Sequence, residues 1–488
     1  MASNISDPAA TVAPAAPEPA VSHGSALERR FHLSERATDV GTEVRAGLTT
    51  FMVMSYIIVV NAVVLTTGTR IAGQDVPFAA IVTSTCLVAG VISLAMGLAA
   101  NVPFALAPGM GINAVVAFQL IVGMGYTFAE AMGVILLEGI IITILVLTGL
   151  RRRVLHAIPV ALKQAIGAGI GLFLFAIGAY EAGLFLVPLG ATQGGTVPPP
   201  TAGTLGNLTA PPVLLALCGL VLTAVLLRQG VKGAMLIGIL VTTAVGLVLH
   251  LALGVNLSAV PGKLELPPQP LSAPDFRLLG VGVGGLSFLT RGGGPLLLAG
   301  LLATLSIMLS DFFDTAGTFT ALGAEAGLTD EHGDLRDNEA EAYLVDSVGA
   351  AAGGFVGSSS ATTYIESGAG IAEGGRTGLT AVVAAIPFFL AMWLANVFAI
   401  VPQEATAGAL MIVGLLMLAA VGNQIPWKHF PLGLPALFTV MLMPLTWSIT
   451  NGIGAGVILY TLLHARRAGP VLWVASAAFA VYFSLGTK

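Results

Sequence analysis

Charged residues are scarce in this chain. Asp, Glu, Lys and Arg together make up 9% of its 488 residues, whereas soluble domains carry about 25%. Stretches such as 77–100 and 377–403 contain no charged residue at all, and a helix of about 20 apolar residues is long enough to cross a bilayer. The scarcity of charge excludes an ordinary soluble protein and predicts an integral membrane protein surrounded by lipid.

Cysteine is scarcer than charged residues, and the sequence motifs of several other protein classes are missing. The two cysteines, Cys86 and Cys218, lie in apolar segments without metal-type spacing, which argues against a disulfide framework or a metal site. Nucleic-acid motifs are absent, and so are the ten-residue alternating strands of an outer-membrane barrel. We therefore expect an all-α polytopic membrane protein with no cofactor, no metal and no nucleic-acid partner.

Apolar segments predict about fourteen membrane crossings. The segments are 44–67, 77–100, 102–118, 128–150, 157–185, 211–228, 233–254, 296–322, 339–356, 360–372, 377–400, 404–422, 432–448 and 450–464. The third and tenth are too short to cross as regular helices. A further apolar stretch, 469–485, is either a fifteenth element or a helix at the membrane surface.

The placement of Lys and Arg predicts the orientation. Basic residues precede the first segment and follow the fourth, sixth and fourteenth, and short cytoplasmic loops are enriched in Lys and Arg. We therefore expect both ends of the membrane region in the cytoplasm, and the protein in the cell (inner or plasma) membrane. Residues 1–40 are polar, rich in Ala and Pro and without a signal-peptide core, so they are expected to form a disordered cytoplasmic tail.

Two pairs of stretches indicate an internal repeat. Residues 103–113 resemble 362–372, and 158–178 resemble 401–422, in both cases about 250 residues apart. Seven crossings per half, an odd number, would invert the second copy in the membrane. Corresponding Gly/Pro-broken segments in inverted halves point to a transporter site near the bilayer midplane. Chance similarity between Gly-rich apolar helices is the alternative.

Ionisable residues inside apolar segments are functional candidates, because a charge at mid-bilayer costs about 2.5–3.5 kcal/mol on insertion scales. The candidates are Glu138, Lys163, Glu181, Asp311, Asp314, Asp346 and Glu366. A structural role is favoured for the first three: Glu138 would pair with a polar neighbour, Lys163 would reach the membrane surface and Glu181 would lie near it. Asp346 could equally anchor the break that follows it or act in function.

The acids near the breaks are the favoured functional residues. Asp311 and Asp314 are three apart and share a helix face, so at least one should be protonated or paired. Glu366 lies on the tenth-segment break, and Asn113 occupies the matching place in the third, where capping the half-helix is its alternative role. In the cluster 358–363, ending at Thr363, capping of the broken helix is more common than substrate contact.

Carboxylates and an amide without a metal motif suit a planar ligand that bears hydrogen-bond donors and acceptors. An ionised carboxylate only accepts hydrogen bonds, whereas a protonated one both donates and accepts. A buried acid could therefore bind a ligand edge and carry a proton. The pattern favours proton-coupled symport of a polar heterocycle.

At these residues the chain resembles the nucleobase–cation symporter type 2 (nucleobase–ascorbate transporter) superfamily, and within it the AzgA-like purine permease branch. The matching stretches are 43–61, 101–118, 164–178, 311–318, 357–382 and 443–456. Together they extend over nearly the whole membrane region, about residues 41–465. The long match around the tenth segment is the most specific.

The resemblance implies fourteen helices in a seven-plus-seven inverted repeat, divided into a core and a gate. In this chain the core would comprise 41–150 and 296–400, the gate 151–256 and 401–488 with its C-terminal apolar helix, and 257–295 would be an extracellular loop. Members of the superfamily are often dimeric, so a homodimer is an expectation.

The resemblance also implies import of adenine, guanine or hypoxanthine with a proton. Asp314, Glu366 and Asn113 match the family's substrate ligands, and Thr363 adjoins them. Phe104 and Tyr56 would cover the ring, and Glu366, Asp314 and Asp311 would serve proton coupling.

Three alternatives remain at this point. A uracil or xanthine permease uses the same scaffold. An anion transporter or channel would require basic residues or bare helix ends at the breaks, and Glu366 argues against it. An intramembrane enzyme is disfavoured because no paired catalytic Asp motif on separate helices is evident.

Overall fold

The structure, a computed structural model, describes residues 26–150, 159–186, 204–260, 263–291, 294–329, 335–422 and 424–485. Most of the predicted tail (1–25), the basic run 151–153 and much of the loop 187–206 lie outside the described residues.

The first half begins with a short helix and contains one strand that breaks an apolar segment. Its elements are α1 (Ala26–Phe31), α2 (Val40–Met54), α3 (Tyr56–Ile71), α4 (Phe78–Ala95, continued by a π-helix Met96–Ala100), β1 (Leu106–Pro108), α5 (Met110–Ala114, continued by a π-helix Val115–Gly123), α6 (Phe128–Leu147), α7 (Val160–Glu181), β2 (Phe185–Leu186), β3 (Thr204–Leu205), α8 (Pro211–Arg228) and α9 (Ala234–Leu253).

The second half contains the other broken segment. Its elements are α10 (Val281–Gly285), α11 (Phe288–Arg291), α12 (Gly294–Ala326), α13 (Glu339–Val356), β4 (Ala361–Thr363), a 3₁₀ turn (Ile365–Ser367), α14 (Gly368–Ala372), α15 (Gly378–Ala391), a 3₁₀ turn (Met392–Leu394), α16 (Ala395–Ala399), α17 (Gln403–Gly422), α18 (Phe430–Thr446), α19 (Ile449–Leu463) and α20 (Pro470–Leu485).

The described residues form a helical membrane protein. Eight helical runs among them are long and apolar enough to cross a bilayer, and further apolar helices of 10–17 residues accompany them. The bounds follow the apolar segments of the sequence closely: α6, α8 and α13 begin at 128, 211 and 339, as predicted. The agreement is close because apolar length alone decides which stretch can lie in lipid.

The third and tenth segments are both broken, as predicted, and their breaks pair with each other. Strand β1 runs antiparallel to β4, with Leu106 opposite Thr363 and Pro108 opposite Ala361. Non-helical backbone at membrane depth must find hydrogen-bond partners within the protein, and each break supplies them to the other. The half-helices α5 and α14 begin shortly after the two strands, so both start at one strand pair.

Glycine permits close contacts between helices, as two examples show. On the α7–α17 contact, a Cβ added to Gly171 would lie 2.6 Å from the carbonyl oxygen of Gly414. On the α6–α13 contact, a Cβ on Gly139 would overlap the backbone of Ala351. These helices can approach so closely only because the side chains are missing, as is common between membrane helices.

Two regions differ from the sequence-based expectation. Residues 26–40 are not a disordered tail: α1 is helical, and the Arg36 guanidinium donates to the carbonyl oxygens of Asn101 (2.7 Å) and Arg376 (3.1 Å). The segment 257–295 is not all loop, because α10 packs closely on α6, where Gly285 meets the backbone of Ala129. The sequence analysis predicted helices from long apolar runs, and neither region contains such a run.

The stretch 469–485, left open above, is helical. As α20 it packs on α19, where the ring of Phe479 lies against Gly454.

Candidate functional site

The carboxyl group of Glu366 lies on the break that follows β4 and is held by a tyrosine from another helix. Glu366 belongs to the 3₁₀ turn Ile365–Ser367 and is partly accessible. The hydroxyl of Tyr56, the first residue of α3, donates to Glu366 Oε1 at 2.7 Å, and Tyr56 itself is fully buried. One oxygen of Glu366 is thus occupied by Tyr56.

Asp314 approaches this group from α12. Its side chain is accessible, whereas Asp311, one turn earlier, is buried. Asp314 lies within electrostatic range of Glu366 and Asp346. A side chain added at Gly317, on the next turn, would meet no atom within 4 Å. Asp314 therefore borders open space, and Glu366 has Tyr56 and Asp314, from two other elements, as neighbours.

Asn113 lies inside the half-helix α5 on the other side of the strand pair. Its side chain is buried, and neither its amide nitrogen nor its amide oxygen has a hydrogen-bond partner among the described residues. The N-cap of α5 is Gly109, so Asn113 does not cap the half-helix, which was its alternative role. Helix α5 also touches α7, where Gly111 faces Ile170. The unsatisfied amide makes Asn113 a candidate ligand-binding residue.

Asp346 on α13 anchors the tenth-segment break. Its Oδ1 accepts from the backbone N–H (3.0 Å) and the hydroxyl (2.8 Å) of Thr363, and its Oδ2 accepts from the Thr315 hydroxyl at 2.7 Å. Three donors satisfy this carboxylate, which ties α13, α12 and β4 together. Of the two roles open to Asp346, the contacts favour anchoring, and Thr363 is engaged in the same contact.

The two aromatic side chains proposed to cover a ring are placed differently from that expectation. Phe104 has no exposed surface and packs on Phe319 with ring centroids 5.5 Å apart, inside an apolar cluster. Tyr56 meets Glu366 through its hydroxyl rather than presenting an open ring face. Phe104 therefore packs in the protein interior against α12 and does not present a ring face to open space.

Tyr364 is a neighbour that the sequence interpretation did not single out. It lies between β4 and Glu366, its hydroxyl donates to the carbonyl oxygen of Pro108 at 2.5 Å, and it is within electrostatic range of Glu366 and Asp314. The contact links the two breaks. An aromatic residue two positions before the acid on a broken segment was the signal available.

The arrangement can bind a polar ligand but offers no metal centre. Among the described residues, no three His, Cys, Asp or Glu side chains are grouped to hold a metal ion. Acceptors on Glu366 and Asp314 and an amide on Asn113 could bind the edge of a planar molecule that carries N–H groups and ring acceptors.

Comparison with known proteins identifies relatives over most of the chain. A family model, Xan_ur_permease, described as "Permease family", matches residues 41–453. The chain is similar to the adenine permease AdeQ of Escherichia coli (38% identity; 90% of each chain). It is also similar to the guanine/hypoxanthine permease PbuG of Bacillus subtilis (34% identity; 93% of this chain, 98% of PbuG).

Among solved structures, the fold resembles the murine anion transporter Slc26a9 in its inward-facing state. The TM-score is 0.61 at 10% identity, over 92% of this chain and 74% of the other. At this identity the likeness concerns the fold alone.

Proposed function

The chain belongs to the permease family whose model matches residues 41–453, and from this premise we propose that it imports purine nucleobases by proton symport. As a family member it is a multi-pass membrane transporter and not an enzyme. Relatives at 34–38% identity are named adenine and guanine/hypoxanthine permeases, which supports adenine, guanine and hypoxanthine as substrates.

One observation carries the proposal: where two broken segments pair, Glu366 accepts from Tyr56 and lies within electrostatic range of Asp314, which borders open space. Tyr56 occupies one oxygen of Glu366 and leaves the other for a ligand N–H. Asp314 supplies a second acceptor, and the amide of Asn113 can donate and accept. Because a purine presents N–H groups and ring nitrogens along one plane, this set of side chains suits its edge.

The wider architecture is part of the same proposal. Fourteen crossings in a seven-plus-seven inverted repeat, with core and gate at the boundaries predicted above, would place the substrate between core and gate near the bilayer midplane. The antiparallel pairing of β1 with β4 supports this arrangement, because corresponding strands of inverted halves would meet in that way. A cytoplasmic N-terminus, a homodimer and location in the cell membrane complete the proposal.

The proposal is tested by uptake of labelled hypoxanthine and adenine into proteoliposomes. We expect Glu366→Gln and Asp314→Asn to lose at least about tenfold in uptake, since one charge-assisted hydrogen bond contributes about 1.5–3 kcal/mol and 1.4 kcal/mol corresponds to a factor of ten. Glu265→Gln, an exposed acid in the loop after α9, is the matched control and should behave as the unmodified protein.

Competition assigns the substrate class. Inhibition of hypoxanthine uptake by excess adenine and guanine, with little effect of uracil, supports the purine assignment. Stronger inhibition by uracil or xanthine would replace it with the alternative permease activity. Undiminished uptake in both acid variants would remove Glu366 and Asp314 from the site.

A further inference from the structure

Glu138 is a buried acid that the proposed substrate site does not use. It lies in the middle of α6, has no exposed surface, and neither of its carboxyl oxygens makes a hydrogen bond of good geometry among the described residues. The sequence led us to expect a polar neighbour on another helix. Leaving a carboxyl group in this state is costly, so its surroundings need an explanation.

The nearest polar groups to Glu138 are another acid and a hydroxyl. The carboxyl group of Asp311 and the hydroxyl of Ser360 lie beside it. Asp311 Oδ1 and Ser360 Oγ are also buried and without a partner among the described residues. Three polar side chains with unpartnered atoms thus lie together where α6, α12 and the segment that leads into β4 meet.

The charges around this pair are all negative in the described part of the chain. Asp346 faces it from α13, and Asp314 lies one turn from Asp311 on α12. The sequence of α10, which also packs on α6, contains no titratable residue. Two carboxyl groups in contact in a medium of low dielectric cannot both be ionised without a cation, so the pair holds at least one proton.

Hydrogen bonds next to the pair connect it to the tenth-segment break. Thr315 donates to Asp346 at 2.7 Å, and its hydroxyl contacts that of Thr362 at 3.1 Å. Thr362 in turn lies beside Asp311.

We propose that Glu138 and Asp311 form a proton-binding site that couples proton movement to transport, separate from the side chains that contact the substrate. The proposal rests on the proposed transport function. With one proton the pair carries a single negative charge, and a second proton, taken up as a carboxylate becomes a carboxylic acid, makes it neutral. That step removes a repulsive charge beside Asp314, and the Thr362–Thr315–Asp346 contacts connect the pair to the break that carries Glu366.

The test separates coupling from movement of the substrate. Glu138→Gln and Asp311→Asn are compared with the unmodified protein in proteoliposomes, using labelled hypoxanthine in two assays. Counterflow, in which labelled substrate exchanges for unlabelled, needs no net proton transfer, whereas accumulation driven by an inward pH gradient does. For one proton per substrate, one pH unit supports up to about tenfold accumulation.

We expect Glu138→Gln to keep counterflow within about twofold and to lose the accumulation, its ratio falling to about one. A Glu138→Gln variant that accumulates substrate like the unmodified protein would overturn the proposal. Loss of counterflow in a variant that still folds would also overturn it, since Glu138 would then act in translocation itself.

Glu181→Gln is the matched control, because Glu181 is likewise buried with both oxygens unpartnered among the described residues, yet lies on α7 away from the pair. It should retain accumulation, and an equal loss there would assign the effect to any buried acid. If Glu138→Gln fails to fold, Asp311→Asn provides the same two measurements.

Infrared spectroscopy makes the result independent of the substrate. The unmodified protein at neutral pH should show a protonated-carboxyl C=O band that loses intensity in Glu138→Gln. If the protein transports no purine but this band is present and lost in the variant, the proposed function fails while the proton site stands. Purine transport with an unchanged band overturns the proton site alone.

Discussion

Glu43 on α2 holds the start of α15, and replacing it by Gln should destabilise the protein measurably. Its Oε1 accepts from the backbone N–H groups of Arg376 (2.8 Å) and Thr377 (3.2 Å). Its Oε2 accepts from the N–H (3.1 Å) and the hydroxyl (2.6 Å) of Thr380. Glu43 and Thr380 have no exposed surface, so water cannot replace these contacts.

The size of the effect follows from these contacts. In Glu43→Gln the amide oxygen can replace only one carboxylate oxygen, and the NH₂ group then faces two donors on Thr380. Each buried donor left unsatisfied costs about 1–3 kcal/mol. Removing a negative charge from the helix N-terminus costs about 0.3–2 kcal/mol more. The sum is about 2–8 kcal/mol, a large part of a typical stability of about 5–15 kcal/mol.

The assay is thermal unfolding of the purified protein in detergent at a fixed scan rate, since large proteins often unfold irreversibly. We expect a decrease in apparent melting temperature of at least about 5 °C, because about 2 °C per kcal/mol is typical of larger domains. Glu35→Gln is the control: Glu35 is exposed and its side chain contacts His32 at 3.4 Å, so little change is expected.

A double-mutant cycle gives the sharpest check. Thr380→Val removes the hydroxyl donor that Glu43→Gln leaves unpaired. If the reasoning is right, Glu43→Gln costs about 1–3 kcal/mol less in that background than alone. Strictly additive effects of the two substitutions, or an unchanged melting temperature in Glu43→Gln, would refute it.

Three further predictions follow from contacts elsewhere in the fold. Burial, with a contribution from Arg70, lowers the pKa of Lys263 to about 8 from its usual 10.5. Between these pH values the unfolded chain therefore binds more protons than the folded chain. The melting temperature of the unmodified protein, relative to that of Lys263→Met, should rise from pH 8 to 10.5. A difference between the two proteins that stays constant over this range contradicts the prediction. Lys232 pairs with Glu373, and Lys232 is half-exposed. Reversing the charge of either residue should therefore lower the free energy of unfolding by no more than about 1 kcal/mol. A double reversal that fails to restore stability argues against the pair. A Cβ on Gly171 would lie 2.6 Å from a backbone oxygen, whereas a Cβ on Gly469 would have no atom within 4 Å. Gly171→Ala should therefore reduce the yield of folded protein in size-exclusion chromatography, and Gly469→Ala should not.

Much of the candidate site could be predicted from the sequence. Glu366 and Asp314 were singled out because acids in apolar segments are costly and because one of them lies on a break. In the structure Glu366 accepts a hydrogen bond from Tyr56, and Asp314 lies within electrostatic range of Glu366. Asn113 was chosen by its place in the repeat, and its amide is unsatisfied in the fold. Residue type and position along the chain carry the energies on which these choices relied, and the roles of the three residues in binding stay predictions.

Other residues needed the fold. Phe104 was expected at the ligand, but it packs on Phe319, since a sequence does not say which way an aromatic side chain beside a break will face. Glu138 was expected to find a polar partner, and the group it meets is a second acid, Asp311, from α12. Docking of residues 26–39 through Arg36 likewise depends on carbonyl groups more than 60 residues away.

The sequence by itself determined that this chain lies in a membrane, where several of its long helices begin, and where two segments break. These properties follow from apolar length and from glycine and proline, which act locally along the chain. The tertiary structure decided which acids share a space, which carboxylate is satisfied as an anchor at Asp346, and which is left open at Glu366. Those outcomes depend on contacts between distant segments, because a carboxyl group's charge and hydrogen bonds are set by whatever the folded chain places beside it.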